Sequence, residues 1–121
     1  MKIVFLTYSD IQGGAARATY WLAKGLINSG HDVRMIVYSK STDNYWVTKI
    51  GKTLNYNFRL LLDSIPIRFY KLNRIQHWSI NLVSNKSLHK VINDINPDII
   101  NIHWVGNSFM PISLLKKLLI I

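Results

Sequence analysis

A chain of 121 residues, 49% apolar and 17% charged, is long enough for one domain with a modest core and too apolar to be disordered. It contains no cysteine, which rules out disulfides and thiolate metal sites and leaves the redox compartment open. Fifteen Lys and Arg stand against six acids, for a net charge of +9, and no apolar run approaches the roughly 20 residues that cross a bilayer. The start, Met-Lys-Ile-Val-Phe-Leu-Thr-Tyr, is cut short by Ser9-Asp10 and is no signal peptide, so a cytoplasmic protein is expected.

Ile3, Val4, Phe5 and Leu6 form a short run of β-branched and aromatic residues, the pattern of a strand covered on both faces in a parallel sheet. Turn formers from Ser9 to Gly14 end it. From Ala15 the spacing is helical, with Ala18, Trp21, Leu22, Gly25 and Leu26 on the apolar face and Arg17, Lys24 and Asn28 off it. Asn28-Ser29-Gly30 stops the helix, with Gly30 suited to a left-handed cap. His31 to Tyr38 supplies the next strand.

The chemistry of this unit lies at the helix start. The first N–H groups of a helix have no internal partner and carry the positive end of its dipole, so bare glycines there open an anion site. Gly13 and Gly14 occupy that place, and Arg17 stands one turn in, within reach of an oxyanion. The simpler reading is that the glycines only allow a tight turn with positive φ and that Arg17 is solvated. The spacing is not G-x-G-x-x-G, and Ser39-Lys40 replaces the acid that would hold a ribose diol, which disfavours a dinucleotide; no cofactor is assigned.

The middle of the chain is basic. From Lys49 to Lys90 the residues Lys49, Lys52, Arg59, Arg68, Lys71, Arg74, Lys86 and Lys90 face one acid, Asp63. Apolar and basic residues interleave from Arg59 to Leu72 around Pro66, which should break or kink the segment. Such a stretch suits an anionic membrane surface or an acidic ligand, or is a solvated helix packed by its apolar side. Nothing beside it reads nucleic acid. Leu88, Val91, Ile92 and Ile95 then mark a helix over Asn85–Ile95, ended by Asn96-Pro97. Asp98 to Trp104 is a third buried strand, Val105 to Ser108 a loop, and Pro111 to Leu119 begins another helix. His31, His77 and His89 have no metal-ligand spacing, so no metal is assigned.

Ser9-Asp10-Ile11-Gln12-Gly13-Gly14-Ala15-Ala16-Arg17-Ala18 and Asn96-Pro97-Asp98-Ile99-Ile100-Asn101-Ile102-His103-Trp104, in that order, together resemble the amino-terminal domain of family-four glycosyltransferases with the GT-B fold. The likeness is closest to the branch that builds bacterial surface polysaccharides. It covers both ends of the chain, whereas Tyr45 to Ser84 matches only in its basic, apolar character. The resemblance implies a Rossmann-like, three-layer α/β fold with a parallel sheet. On this view residues 1–121 are a single incomplete domain, with a basic apolar insertion at about 45–84.

In that family a first domain mainly holds the acceptor and a second holds the nucleotide-sugar donor across a cleft. The resemblance therefore implies that Gly13 and Gly14 approach the donor phosphates and that His103, Trp104 and Asn107 line the acceptor side, although the Trp104 ring suits packing better than stacking on a sugar. The acceptor would be a glycan or a lipid-linked sugar, and the enzyme a retaining one. Leaving-group stabilisation needs both sides of the cleft, so this chain alone is expected to be inactive, and no catalytic residue is assigned. The competing reading is a non-catalytic basic module that binds an anionic membrane surface or an acidic polymer through residues 49–90. The strand order is expected to be 2-1-3, with Ile3–Thr7 central between Val33–Tyr38 and Ile99–His103. The third strand then has an apolar outer edge open to self-association.

Overall fold

The computed structural model describes residues 1–50, 58, 61, 62, 65, 86–106, 109, 110, 113, 114 and 118. Four parallel strands and two helices make up the described fold. In chain order they are β1 (Lys2–Ser9), α1 (Gly14–Asn28), β2 (Asp32–Ser39), β3 (Val47–Lys49), α2 (Lys86–Ile95) and β4 (Ile99–Ile102). The sheet order is β3-β2-β1-β4, so β1 is flanked by β2 and β4 as the strand patterns predict. Lys2 faces Asp32 at the start of the β1–β2 pair, and Ile3 faces Ile99 at the start of the β1–β4 pair.

Alternation along the strands divides the core in two. Ile3, Phe5, Val33, Met35 and Val37 point to one face, where Tyr20 and Ala23 of α1 cover them. Val4, Leu6 and Ile36 point to the other, against Leu88 and Ile92 of α2. This is why β1 reads as a continuous apolar run: Val4, Phe5 and Leu6 are all fully buried although their side chains leave on opposite sides. Helices on opposite faces are what two crossovers of the same hand produce when the chain moves outward from β1 in opposite directions.

The apolar face of α1 differs from the one its spacing suggests. Ala16, Thr19, Tyr20 and Ala23 are buried, with Leu26 and Ile27 packed against the same cluster. Trp21 and Leu22 are 60% and 47% exposed, and Ala18 and Gly25 also face solvent. Two side chains that look polar satisfy themselves inside. The Thr19 hydroxyl donates to the Ala15 carbonyl at 2.8 Å, and the Tyr20 hydroxyl accepts from Asn44 Nδ2 at 2.9 Å while its ring packs on Trp46. The Trp21 ring instead carries Lys24 Nζ 5.1 Å from its centre.

Both helix ends carry the stops that the sequence contains. Gly30 has φ +86°, and the Gly30 and His31 N–H groups donate to the carbonyls of Ile27 and Leu26, a Schellman closure of α1. Asn96 has φ +48° after α2, just before Pro97. The short strand β3 is absent from the sequence reading, which assigns Tyr45 onward to the basic insertion. Trp46, Val47 and Ile50 are buried there, and β3 extends the sheet beyond β2. The break expected at Pro66 lies outside the described residues. So does most of the helix expected from Pro111, of which Ser113, Leu114 and Leu118 are helical. Among the described residues no helix is long and apolar enough to cross a membrane.

Candidate functional site

Where a parallel sheet sends one connection to each face, the strand ends part and leave a crevice at their carboxyl side. Here that point lies between β1 and β4, and a cleft of about 280 Å³ opens there. Its floor is the end of β1, from Thr7 to Ser9. Gln12 to Ala16 form one wall, and Trp104, just after β4, stands opposite.

The wall is the start of α1. Gly13 is its N-cap, with φ 93° and ψ 165°, a backbone region that is essentially glycine-only. The first intrahelical hydrogen bond runs from Arg17 N–H to the Gly13 carbonyl at 3.1 Å. No side chain caps this end and no acid stands in its first turn. Gly14, Ala15 and Ala16 line the cleft, and among the described residues their N–H groups lack the neutralising groups that helix starts usually carry.

The two glycines have different reasons. Gly13 is fixed by its backbone angle: Gly13→Ala meets no steric neighbour, yet it should lower stability by about 2 kcal/mol through strain alone, readable by thermal denaturation. Gly14 has no positive φ, and an added Cβ would meet nothing within 4 Å. Alanine is the better helix former, by about 1 kcal/mol in a helix interior and less at a first helical position such as this one. The turn alone thus explains Gly13 and leaves Gly14 without a folding reason.

Aromatic rings cross the strand ends on the side of the sheet that α2 covers. Tyr38, at the end of β2, stacks on Tyr8 at 5.4 Å, and Tyr8 meets Trp104 edge-on, also at 5.4 Å. Trp104 is 44% exposed, and its indole lies 3.0 Å from where a Cβ on Gly106 would be, so the bare glycine makes room for it. The row gives the cleft a rigid aromatic side opposite the amide-lined one.

Behind the glycine turn sits Asp10, fully buried. Its carboxylate accepts from the N–H of Ile11, Ser41 and Thr42 and from the Thr42 hydroxyl, all between 2.8 and 3.1 Å. Burial opposes its ionisation, but the bonds from Ser41, Thr42 and Ile11 together outweigh it and hold the carboxyl below its ordinary value.

Of the residues singled out in the sequence, Gly13 and Gly14 line the cleft. Arg17 is exposed and is not part of the lining. His103 follows β4; its N–H donates to the Leu6 carbonyl at 2.9 Å and its ring stacks on Phe5 at 5.7 Å. Its Nε2 is buried with no partner among the described residues, and it stands outside the cleft lining. Asn107 lies outside the described residues. Trp104, which the resemblance places on the acceptor side, lines the cleft, and Tyr8 and Gln12 line it without having been singled out. The available signal was the position of Tyr8 at the carboxyl end of β1 and of Gln12 in the turn that follows it. Among the described residues no three His or acidic side chains are grouped to hold a metal ion.

Fold and site together define a small α/β protein with an all-parallel sheet and a crevice where its topology reverses. Comparison with family models, curated proteins and solved structures gives no match for this chain.

Proposed function

We propose that the chain is the acceptor-side, Rossmann-like domain of a nucleotide-sugar-dependent glycosyltransferase of the GT-B type, acting in surface polysaccharide synthesis. The observation that carries this reading is Gly14: a bare residue with no folding reason, at an uncapped helix start that opens into the cleft at the topological switch. Three free N–H groups at the positive end of α1 suit a diphosphate, and the Tyr8–Trp104 side suits a ring, whether sugar or base. The Gly-Gly-Ala-Ala-Arg and Pro-Asp-Ile-Ile-Asn-Ile-His-Trp resemblance supplies the reaction class. The donor-side domain of such an enzyme provides the rest of the transition-state contacts, so the contacts described here bind the nucleotide only weakly by themselves.

Adding UDP should shift the amide resonances of Gly14, Ala15 and Ala16, whereas uridine, which lacks the phosphates, should leave them in place. Gly14→Val should abolish the shift while lowering the unfolding free energy by no more than about 1 kcal/mol. Equal shifts with uridine, or none at these amides, would remove the reading. A second reading, a membrane-facing basic module at the inner face of the membrane, is favoured by Phe58, Leu61, Leu62 and Ile65. These are helical, exposed, and set three and four residues apart amid the basic stretch. UDP shifts confined to residues 49–90 would mark a nonspecific charge effect, whereas binding to anionic but not neutral lipid vesicles would favour the second reading.

A further inference from the structure

The glycine turn is joined to the exit of β2 by side-chain and backbone hydrogen bonds, besides the bond from Gln12 N–H to Ser9 Oγ of its own strand. Asp10 N–H donates to the Ser39 carbonyl at 3.2 Å, and Gln12 Nε2 donates to Ser41 Oγ at 3.1 Å. Between these two bonds lies the Asp10 carboxylate, taking both N–H groups of Ser41-Thr42 and the Thr42 hydroxyl from one side and Ile11 N–H from the other. Two loops that leave neighbouring strands therefore meet on one buried side chain, three residues before the N-cap of α1.

We propose that Asp10 is the positioning residue of the anion site: it holds the β2 exit loop and the glycine turn together so that Gly14–Ala16 N–H groups converge on the cleft. The inference rests on the anion-binding reading of that turn. Asp10 is fully buried and absent from the cleft lining, so it does not touch the ligand. Its negative charge is taken up by donors within the protein, which keeps a carboxylate this close to the site from repelling an anion there. A neutral residue of the same shape would replace an acceptor with an amide donor facing two N–H groups, and the turn would have to move. The coupling also makes the 40–42 loop, which is absent from the cleft lining, a determinant of anion affinity.

Asp10→Asn and the milder Thr42→Val, which removes the hydroxyl donor alone, test this by NMR on the whole chain. In the ligand-free state both should displace the resonances of Gly13–Ala16 while those of Tyr20–Asn28, later in the same helix, stay. Titrated with inorganic phosphate, Asp10→Asn should bind about tenfold more weakly than the unsubstituted chain, and Thr42→Val should fall between them. Unmoved ligand-free resonances in either folded variant, or equal phosphate affinity in all three proteins, would overturn the positioning role. An unsubstituted chain that shows no phosphate shift would overturn the anion site itself, a result distinguishable because the ligand-free displacement does not depend on it. Should Asp10→Asn fail to fold, Thr42→Val decides in the same way.

Discussion

Two copies of the chain are expected to pair through β4. Among the described residues β4 bonds to β1 alone, so its other side presents free backbone groups around Ile99 and Asn101. The sequence Ile-Ile-Asn-Ile carries no charge or proline to discourage a second strand, and Ile99 is 42% exposed. The opposite edge is guarded. β3 is only three residues long and ends in Lys49, and Lys40 Nζ occupies the carbonyls of Asn44 and Val47 there. The net charge of +9 resists association at long range, so pairing should strengthen as salt screens it. Sedimentation across a concentration series should show a dimer. Ile99→Lys should weaken it about tenfold by placing a charge on the edge without disturbing a buried residue. A monomer at every concentration in high salt would show that the edge is covered.

The second large effect is acid sensitivity centred on Asp10. Its folded-state pKa is lowered, so its contribution to stability is complete above the unfolded carboxylate value of roughly 3.9 and is lost as pH falls through the lower folded value. Six aspartates and no glutamate make up the acids of this chain, so one strongly bonded carboxylate forms a large share of the pH dependence. Melting temperature should hold steady at mildly acidic pH and drop steeply below about pH 4. Asp10→Ala should flatten that drop and cost about 3 kcal/mol at neutral pH, because the Ser41 and Thr42 N–H groups lose their acceptor inside the protein. An unchanged acid transition in Asp10→Ala would mean another group governs it.

The central part of the fold was legible because each signal in it is local. Three β-rich runs, a glycine turn and a Gly30 stop yield β1, α1, β2 and β4 in the right order. The face of α1 was not legible: its outward side bears Trp21 and Leu22, and only tertiary partners, Asn44 and Trp46 for Tyr20, show which stripe is inside, while Thr19 is satisfied within the helix by the Ala15 carbonyl. β3 was hidden because three residues are too few for a period, and its pairing comes from Met35 to Val37 on β2. At the site, Gly13 and Gly14 could be found from the turn alone. Asp10 could not, since its value comes from Ser41 and Thr42, some thirty residues away, and nothing in the spacing links them.

The two halves of the core also differ in how much chain each one needs. Among the described residues, every buried one on the α1 side, from Ile3 to Val47, lies within the first 47 positions. The α2 side draws Val4, Leu6 and Ile36 from that same segment but needs Leu88, Ile92 and Leu114 to close over them. Short-range closure costs less chain entropy than long-range closure, so one face can condense while the other still waits for distant sequence. As the chain leaves the ribosome, a one-sided sheet carrying α1 precedes the finished sandwich. Its bare Val4–Leu6–Ile36 face is the surface most exposed to misassociation during that interval.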